Sequence, residues 1–440
     1  MTVTNVFDRL IGQTAAEAEL RAAARAARGA AARLDEAAAG AVSMFADPEG
    51  DPEDDSAGPD SGTTDEFDAA SRASMTHAWL FTGPPGSGRS VAATAFAAAL
   101  QCQADDPADI GCGECRACVT VMAQTHADVR HVVPDGLSLS VAVVRDIVQL
   151  ASRRPGTGRW QIVIVEDADR LTESAANALL KVVEEPPART VFLLCAPSVD
   201  PEDISVTLRS RCRHVALGAP AVDAIARVLV ERDGIDETKA RWAASVCGGH
   251  VGRAKRLATD DDAVAQREQA LGLARAATRD STAYAAAEAL VRSAEEAAKA
   301  LSAQLDAAEL EEFKTALGAG GEGKGTARMP RGSAGALKDL EKRQKSRATR
   351  VGRDVLDRAL VDLAALFRDA LLLSMGARVT PMHPDKTDSI TTGMAGYARP
   401  EQLLRCVDAV LDCREALDQN VKPKFALDAM VGKVNLALKR

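Results

Sequence analysis

Gly83-Pro84-Pro85-Gly86-Ser87-Gly88-Arg89-Ser90 has the spacing of a loop that cradles phosphate. In such a loop, glycines let backbone N–H groups face the anion, and the helix that follows adds the partial positive charge of its N-terminus. The pattern asks for Lys at position 89, and this chain has Arg. An ammonium is a compact point charge that fits beneath terminal phosphates, whereas a guanidinium is a wider planar fork, so the exchange alters the site. Glu166-Asp167 ends a later apolar run. Working nucleotide hydrolases place Asp then Glu there, for magnesium and for water activation. Here Asp167 is one methylene short for the base role, and Glu166 is long for tidy magnesium placement. Ala196-Pro197, which offers no hydroxyl, stands where nucleotide hydrolases of this pattern put a Thr to sense the γ-phosphate. The expectation is an ancestral nucleotide fold without hydrolysis. Retained ATP or ADP binding, or a Gly-rich turn that binds nothing, are the open alternatives.

Cys112-x-x-Cys115-x-x-Cys118 follows Cys102 by a short loop. Four thiolates at this spacing predict a closed tetrahedral zinc site of the structural type, with no open position for catalysis. A reduced cluster or a redox switch is the alternative. The other five Cys are scattered and read as small core residues. The six His are dispersed, and neither Ser90 nor Ser210 has a His at a recognisable spacing, so a hydrolase triad is unsupported.

These residues need a scaffold. Apolar runs at 77–82, 160–166 and 190–195, and a shorter one from His214, read as strands, and a helix over 173–184 stops at Pro186-Pro187. Strands alternating with helices imply a parallel sheet. From Ala221 onward the pattern is helical only. Residues 44–73 are Asp, Glu, Pro, Gly and Ser and read as a disordered loop. Residues 319–350 read as a flexible basic linker; nine Lys and Arg between 324 and 350 could track a DNA backbone, but more often form a solvated face.

The 440 residues are enough for two or three domains. The net charge of -9 is concentrated, since 10 acidic residues and no Lys or Arg fall between Asp47 and Asp68. Without them 53 acidic residues face 54 basic ones, so global charge neither supports nor forbids nucleic-acid binding. No run is long and apolar enough to span a membrane and no signal-peptide pattern opens the chain, so a cytoplasmic protein is expected.

Asn177-Ala178-Leu179-Leu180-Lys181 with Glu184-Glu185-Pro186-Pro187, Leu208-Arg209-Ser210-Arg211-Cys212, Ile11-Gly12-Gln13, the Gly-rich loop and the four-Cys insert together resemble the bacterial DNA polymerase III clamp-loader family. The resemblance covers roughly residues 5–258 without the acidic loop. It implies an AAA+ α/β P-loop domain with a zinc module (102–118) over 1–219, a small helical lid over 220–262, and an all-helical collar over 263–440. Within the family, gamma/tau subunits hydrolyse ATP and keep intact motifs, while delta-prime subunits carry degraded ones and keep Ser-Arg-Cys. The defects here side with the delta-prime kind. The resemblance then implies a ring with gamma/tau and delta partners that loads a sliding clamp on primed DNA, with Arg211 as an arginine finger toward a neighbour's ATP. Arg253, in Gly249-His250-Val251-Gly252-Arg253-Ala254, resembles a sensor-2 arginine that touches a phosphate, so it joins Gly83, Gly86, Gly88, Arg89, Ser90, Glu166 and Asp167 in the expected degenerate nucleotide site. A gamma/tau-type motor and a stand-alone zinc and nucleic-acid-binding module are the alternatives.

Overall fold

The computed structural model describes residues 5–43, 76–316 and 333–439. The acidic stretch expected at 44–73 lies outside them. The chain divides into two compact units: Met1–Pro134, Ser138–Gly234 and Gly249–Val251 in one, Asp135–Leu137, Ile235–Gly248 and Gly252–Arg440 in the other. The stretch 220–262, expected as a separate lid, is therefore shared between the two.

The first unit is built on a parallel sheet of five strands in the order β2-β3-β4-β1-β5. The strands are β1 (Ala78–Thr82), β2 (Val129–Val132), β3 (Gln161–Val165), β4 (Thr190–Ala196) and β5 (Arg213–Ala216). The three inner strands are buried at every residue, as parallel strands covered on both faces must be. Alternate side chains divide between two cores. Trp79, Phe81, Ile162, Ile164 and Leu193 pack against α1 (Thr14–Ser43) and α2 (Arg89–Gln101). The Trp79 and Phe96 rings meet edge to face at 4.8 Å. Leu80, Val163, Val165, Phe192 and Leu194 pack on the other face. The helices there are α4 (Val141–Ala151) and α5 (Glu173–Glu184), while α3 (Arg116–Met122) lies in the cysteine insert. The unit continues through α6 (Val206–Arg209) and α7 (Val222–Glu231).

Strand β2 was not expected. Only Val129 and Val132 of its four residues are buried, because it is an edge strand, so Arg130 and His131 break the apolar run that marks the inner strands.

The second unit is helical: α8 (Glu237–Val246), α9 (Val251–Thr259), α10 (Asp261–Ala276), α11 (Asp280–Ala316), α12 (Ser333–Ser374), α13 (Thr392–Tyr397), α14 (Pro400–Asp418) and α15 (Pro423–Lys439). Its core joins α10, α11, α12, α14 and α15 through residues such as Leu271, Leu360, Phe367, Val410 and Met430. The expected basic linker does not extend to residue 350. Residues 333–350 are the first turns of the 42-residue α12. Lys, Arg, Ala and Leu are strong helix formers whatever their charge. Partners also order the stretch: Arg347 makes two 2.7 Å hydrogen bonds to Glu309 of α11, and just beyond it Arg353 donates to the Leu417 carbonyl at 2.7 Å.

A buried polar cluster ties the helices of this unit. Arg267 donates two 2.8 Å hydrogen bonds to Asp385 and one of 2.9 Å to His383 Nδ1. His383 is 1% exposed; its Nε2 lies 3.0 Å from the Asp362 carbonyl, and its backbone N–H donates to Asp369 at 2.9 Å. Since a guanidinium can only donate, Nδ1 accepts and the ring proton sits on Nε2. Burial holds the His383 pKa below its ordinary 6.5 and Arg267 adds to this, against the opposite pull of Asp362 and Asp369. The unfolded chain therefore binds this proton at a higher pH than the folded one. The contribution to stability is full above about pH 6.5 and is lost as pH falls below it. The thermal midpoint should fall between about pH 7.5 and about pH 5.5, and His383→Gln should flatten part of that fall. Identical pH profiles for the two proteins would remove His383 as the cause.

Candidate functional site

The Gly-rich loop leaves the carboxyl end of β1 and enters α2, the place where open parallel sheets bind ligands. Gly86 and Gly88 have φ of 87° and 93°, which only glycine adopts without strain, and Gly88 caps α2 in the left-handed region. The Gly83 N–H donates to the Pro197 carbonyl at 3.1 Å, so the end of β4 holds the start of the loop. Gln13 ties the loop from below: its side-chain amide donates to the Ser87 carbonyl at 3.3 Å and the Gly218 carbonyl at 2.7 Å.

The altered residues converge on this loop. Ser90 Oγ donates to Glu166 Oε2 at 3.0 Å, and Glu166 Oε1 lies 3.6 Å from His131 Nδ1. Asp167 adopts a left-handed conformation (φ 52°, ψ 55°) just before a short 3-10 turn, Ala168–Arg170. Burial raises the Asp169 pKa, and Asp167 raises it further against the pull of Arg89. Arg89 is thus near enough to Asp169 to act on its charge, and its Nη1 is buried without a hydrogen-bond partner. Gly83, Gly86, Gly88, Arg89, Ser90, Glu166 and Asp167 all lie in the first unit. His131 and Gln13 join them; neither stood out in the sequence as a contact of this loop, and His131 lies on the strand that sequence patterning missed. Arg253 belongs to the second unit, where its guanidinium pairs with Asp362.

Arg211 follows α6. Its Nη2 lies 2.7 Å from Glu184 Oε1, and its Nη1 donates to the Thr207 carbonyl at 3.0 Å. The carboxylate it meets is the first Glu of Glu184-Glu185-Pro186-Pro187, whereas the sequence suggests Glu202 or Asp203 as a local partner. Burial pushes the neighbouring Cys212 thiol up to about 12, so it is neutral and unreactive.

The four Cys of the insert come together. Cys102, Cys112, Cys115 and Cys118 have Sγ atoms all within 4.8 Å of one another, and Cys102 and Cys112 are 3.8 Å apart. A tetrahedral ion with metal–sulfur bonds of about 2.3 Å requires sulfur separations of about 3.8 Å. Backbone N–H groups of Cys115 and Cys118 donate to Cys112 and Cys115 sulfurs at 3.4 Å. The donor set and its spacing fit a metal such as zinc. The knuckle also anchors the N-terminal turn at Val6–Arg9: the Val6 N–H donates to the Gly111 carbonyl at 2.9 Å, and Asn5 Nδ2 to the Ile110 carbonyl at 3.2 Å.

A five-stranded parallel sheet in this order, with a Gly-rich loop leading from its β1 into a helix, defines a P-loop domain of the AAA+ class, here carrying a cysteine knuckle. Residues 65–221 match the family described as DNA polymerase III, delta subunit. The chain is 39% identical over 156 residues to DNA polymerase III subunit delta' of Pseudomonas aeruginosa, covering 35% of this chain and 46% of the relative. It is 39% identical over 146 residues to the Escherichia coli subunit delta', covering 33% and 43%, and 36% identical over 141 residues to the Bacillus subtilis subunit tau, covering 32% and 24%. Residues 65–221 thus resemble the corresponding region of DNA polymerase III subunits delta' and tau. The chain spans less than half the length of these curated relatives. A solved gamma subunit-related protein of Thermotoga maritima aligns over 82% of this chain and 95% of its own, with TM-score 0.37 and 15% identity, too slight a likeness to carry an argument. Among the described residues no helix is long and apolar enough to cross a membrane.

Proposed function

We propose that this chain is a non-motor, delta'-type subunit of a DNA polymerase III clamp loader, acting in the cytoplasm. It helps load the sliding clamp on primed DNA by joining gamma/tau and delta subunits, and it presents Arg211 to a neighbour's ATP. The clamp and the DNA are reached through the assembly.

The observation that carries the reading is the contact of Glu166 with Ser90. In a working site the hydroxyl at the loop's last position and a short Asp share a magnesium ion. The longer Glu166 reaches the Ser90 hydroxyl at 3.0 Å and fills that space with its own carboxylate. Arg89 in place of Lys adds bulk beneath the phosphates. Any ATP or ADP that binds would rest on the loop's backbone N–H groups, without a magnesium ion held between Ser90 and an Asp. Four thiolates in the knuckle would hold zinc with no open coordination position, so the metal's contribution is to the fold.

The purified chain should show no ATP turnover approaching the typical enzyme rate of roughly 10 per second, alone or with primed DNA. Turnover in that range would instead favour a gamma/tau-type motor, the reading that the 36% identity to subunit tau supports. Co-purification with gamma/tau and delta subunits tests the assembly separately.

A further inference from the structure

Three arginines bracket the first segment of the knuckle. Arg159 Nη1 donates to the Cys102 carbonyl, Arg28 Nη2 to the Asp105 carbonyl at 3.3 Å, and Arg25 Nε to the Pro107 carbonyl at 3.3 Å. Arg159 and Arg28 are close enough to repel each other, and Arg28 Nη1 is buried without a hydrogen-bond partner. The position of Arg159 is constructed. The loop before it wraps the Asp128 carboxylate, which accepts from the backbone N–H groups of Gly156, Thr157 and Gly158 at 2.7, 2.8 and 2.6 Å. The Arg159 N–H itself donates to Gln101 at 2.8 Å, one residue before Cys102.

Two guanidiniums held together are unfavourable beside four neutral thiols. They become favourable once a dication is bound, because four thiolates outnumber its charge by two. Asp35 is the competing carboxylate near Arg159, and Arg189 already engages it. Taking the knuckle to be a zinc site, we infer that Arg159, with Arg28 beside it, is the built-in counter-charge of the tetrathiolate. Asp128 and Gln101 position it. It is an outer-shell residue that sets how tightly the metal is held.

The test uses the full chain and zinc alone. Zinc affinity is measured by competition with a chromophoric chelator, and thermal unfolding is followed with and without metal, for wild type, Arg159→Gln and Arg159→Lys. Removing an outer-shell partner typically weakens metal binding about tenfold or more. That loss is expected in Arg159→Gln, and Arg159→Lys should recover most of it because the charge remains. The metal-free form of Arg159→Gln should lose less stability than the metal-bound form, since relief of the repulsion with Arg28 offsets the lost hydrogen bond to the Cys102 carbonyl. Wild-type affinity in Arg159→Gln, or Lys behaving like Gln, would overturn the counter-charge. So would an equal loss of stability with and without metal, which marks a purely structural clamp. A wild-type chain that takes up no zinc would overturn the metal reading itself.

Discussion

Arg211→Ala, in a reconstituted clamp loader, should leave the complex assembled and slow ATP turnover about a thousandfold or more at the one motor site that faces it. A guanidinium at a neighbour's γ-phosphate neutralises charge that develops as the phosphoryl group moves, which is why the expected loss is so large. Within this chain Arg211 has little structural work. Its pairing with Glu184 is exposed, at 37% and 43% of the two side chains. Such surface pairs contribute roughly 0–1 kcal/mol, so the chain's own thermal midpoint should barely move. Freeing the guanidinium from Glu184 to reach a phosphate is cheap for the same reason. The measurement is DNA-stimulated ATPase and clamp loading, after assembly is confirmed by size. Full activity in a correctly assembled complex would rule the finger out. A variant that loses stability and fails to assemble would show that Arg211 holds the end of α6 in place.

Removing the zinc proposed for the knuckle, or replacing Cys115 by Ser, should be the most damaging change to the first unit. Cys115 contributes a sulfur to the cluster and also caps α3 by accepting from the Cys118 N–H. In isolated zinc-finger peptides the metal supplies roughly 10–16 kcal/mol of apparent binding free energy, which is folding free energy there. This unit also has two apolar cores, so the expected loss is smaller, on the order of several kcal/mol. It should spread along a defined path, because the turn at Val6–Arg9 is hydrogen-bonded to Ile110 and Gly111. Amide exchange should therefore quicken at residues 5–13 as well as 102–122, while β3 and β4 stay protected. A chelated protein with the wild-type thermal midpoint and unchanged exchange at residues 5–13 would refute this.

The parts of the fold that read clearly in the sequence are those where chemistry is local. The inner strands are continuous apolar runs because both faces are covered, and the cysteine knuckle and the Gly-rich loop each lie within a few consecutive residues. What stayed hidden depends on partners far along the chain. Strand β2 is an edge strand with two polar residues out of four. Glu184 lies 2.7 Å from Arg211 although a strand and a helix separate them in sequence. Pro155-Gly156-Thr157-Gly158 has the composition of a linker, yet it closes around the Asp128 carboxylate and aims Arg159. The charge of 333–350 masked a helix whose order comes from residues such as Glu309 on the helix before it.

Two of the three glycines of the phosphate loop, Gly83 and Gly86, are demanded by neighbours as much as by any anion. A Cβ at Gly83 would lie 2.4 Å from the Leu217 carbonyl oxygen, and one at Gly86 would lie 2.4 Å from His250. Both clashes persist whether or not a nucleotide is ever bound. A lineage that ceased to use ATP would still lose foldable descendants whenever either glycine mutated, so these two positions would outlive the function that gave them their spacing. The side chain at position 89 answers to no such constraint: its Nη1 hydrogen-bonds to nothing, and the loop's backbone turns through Gly86 and Gly88 instead. In a chain of this kind the glycine spacing is thus a fossil of ancestry, and the residue at position 89 is the better witness to present use.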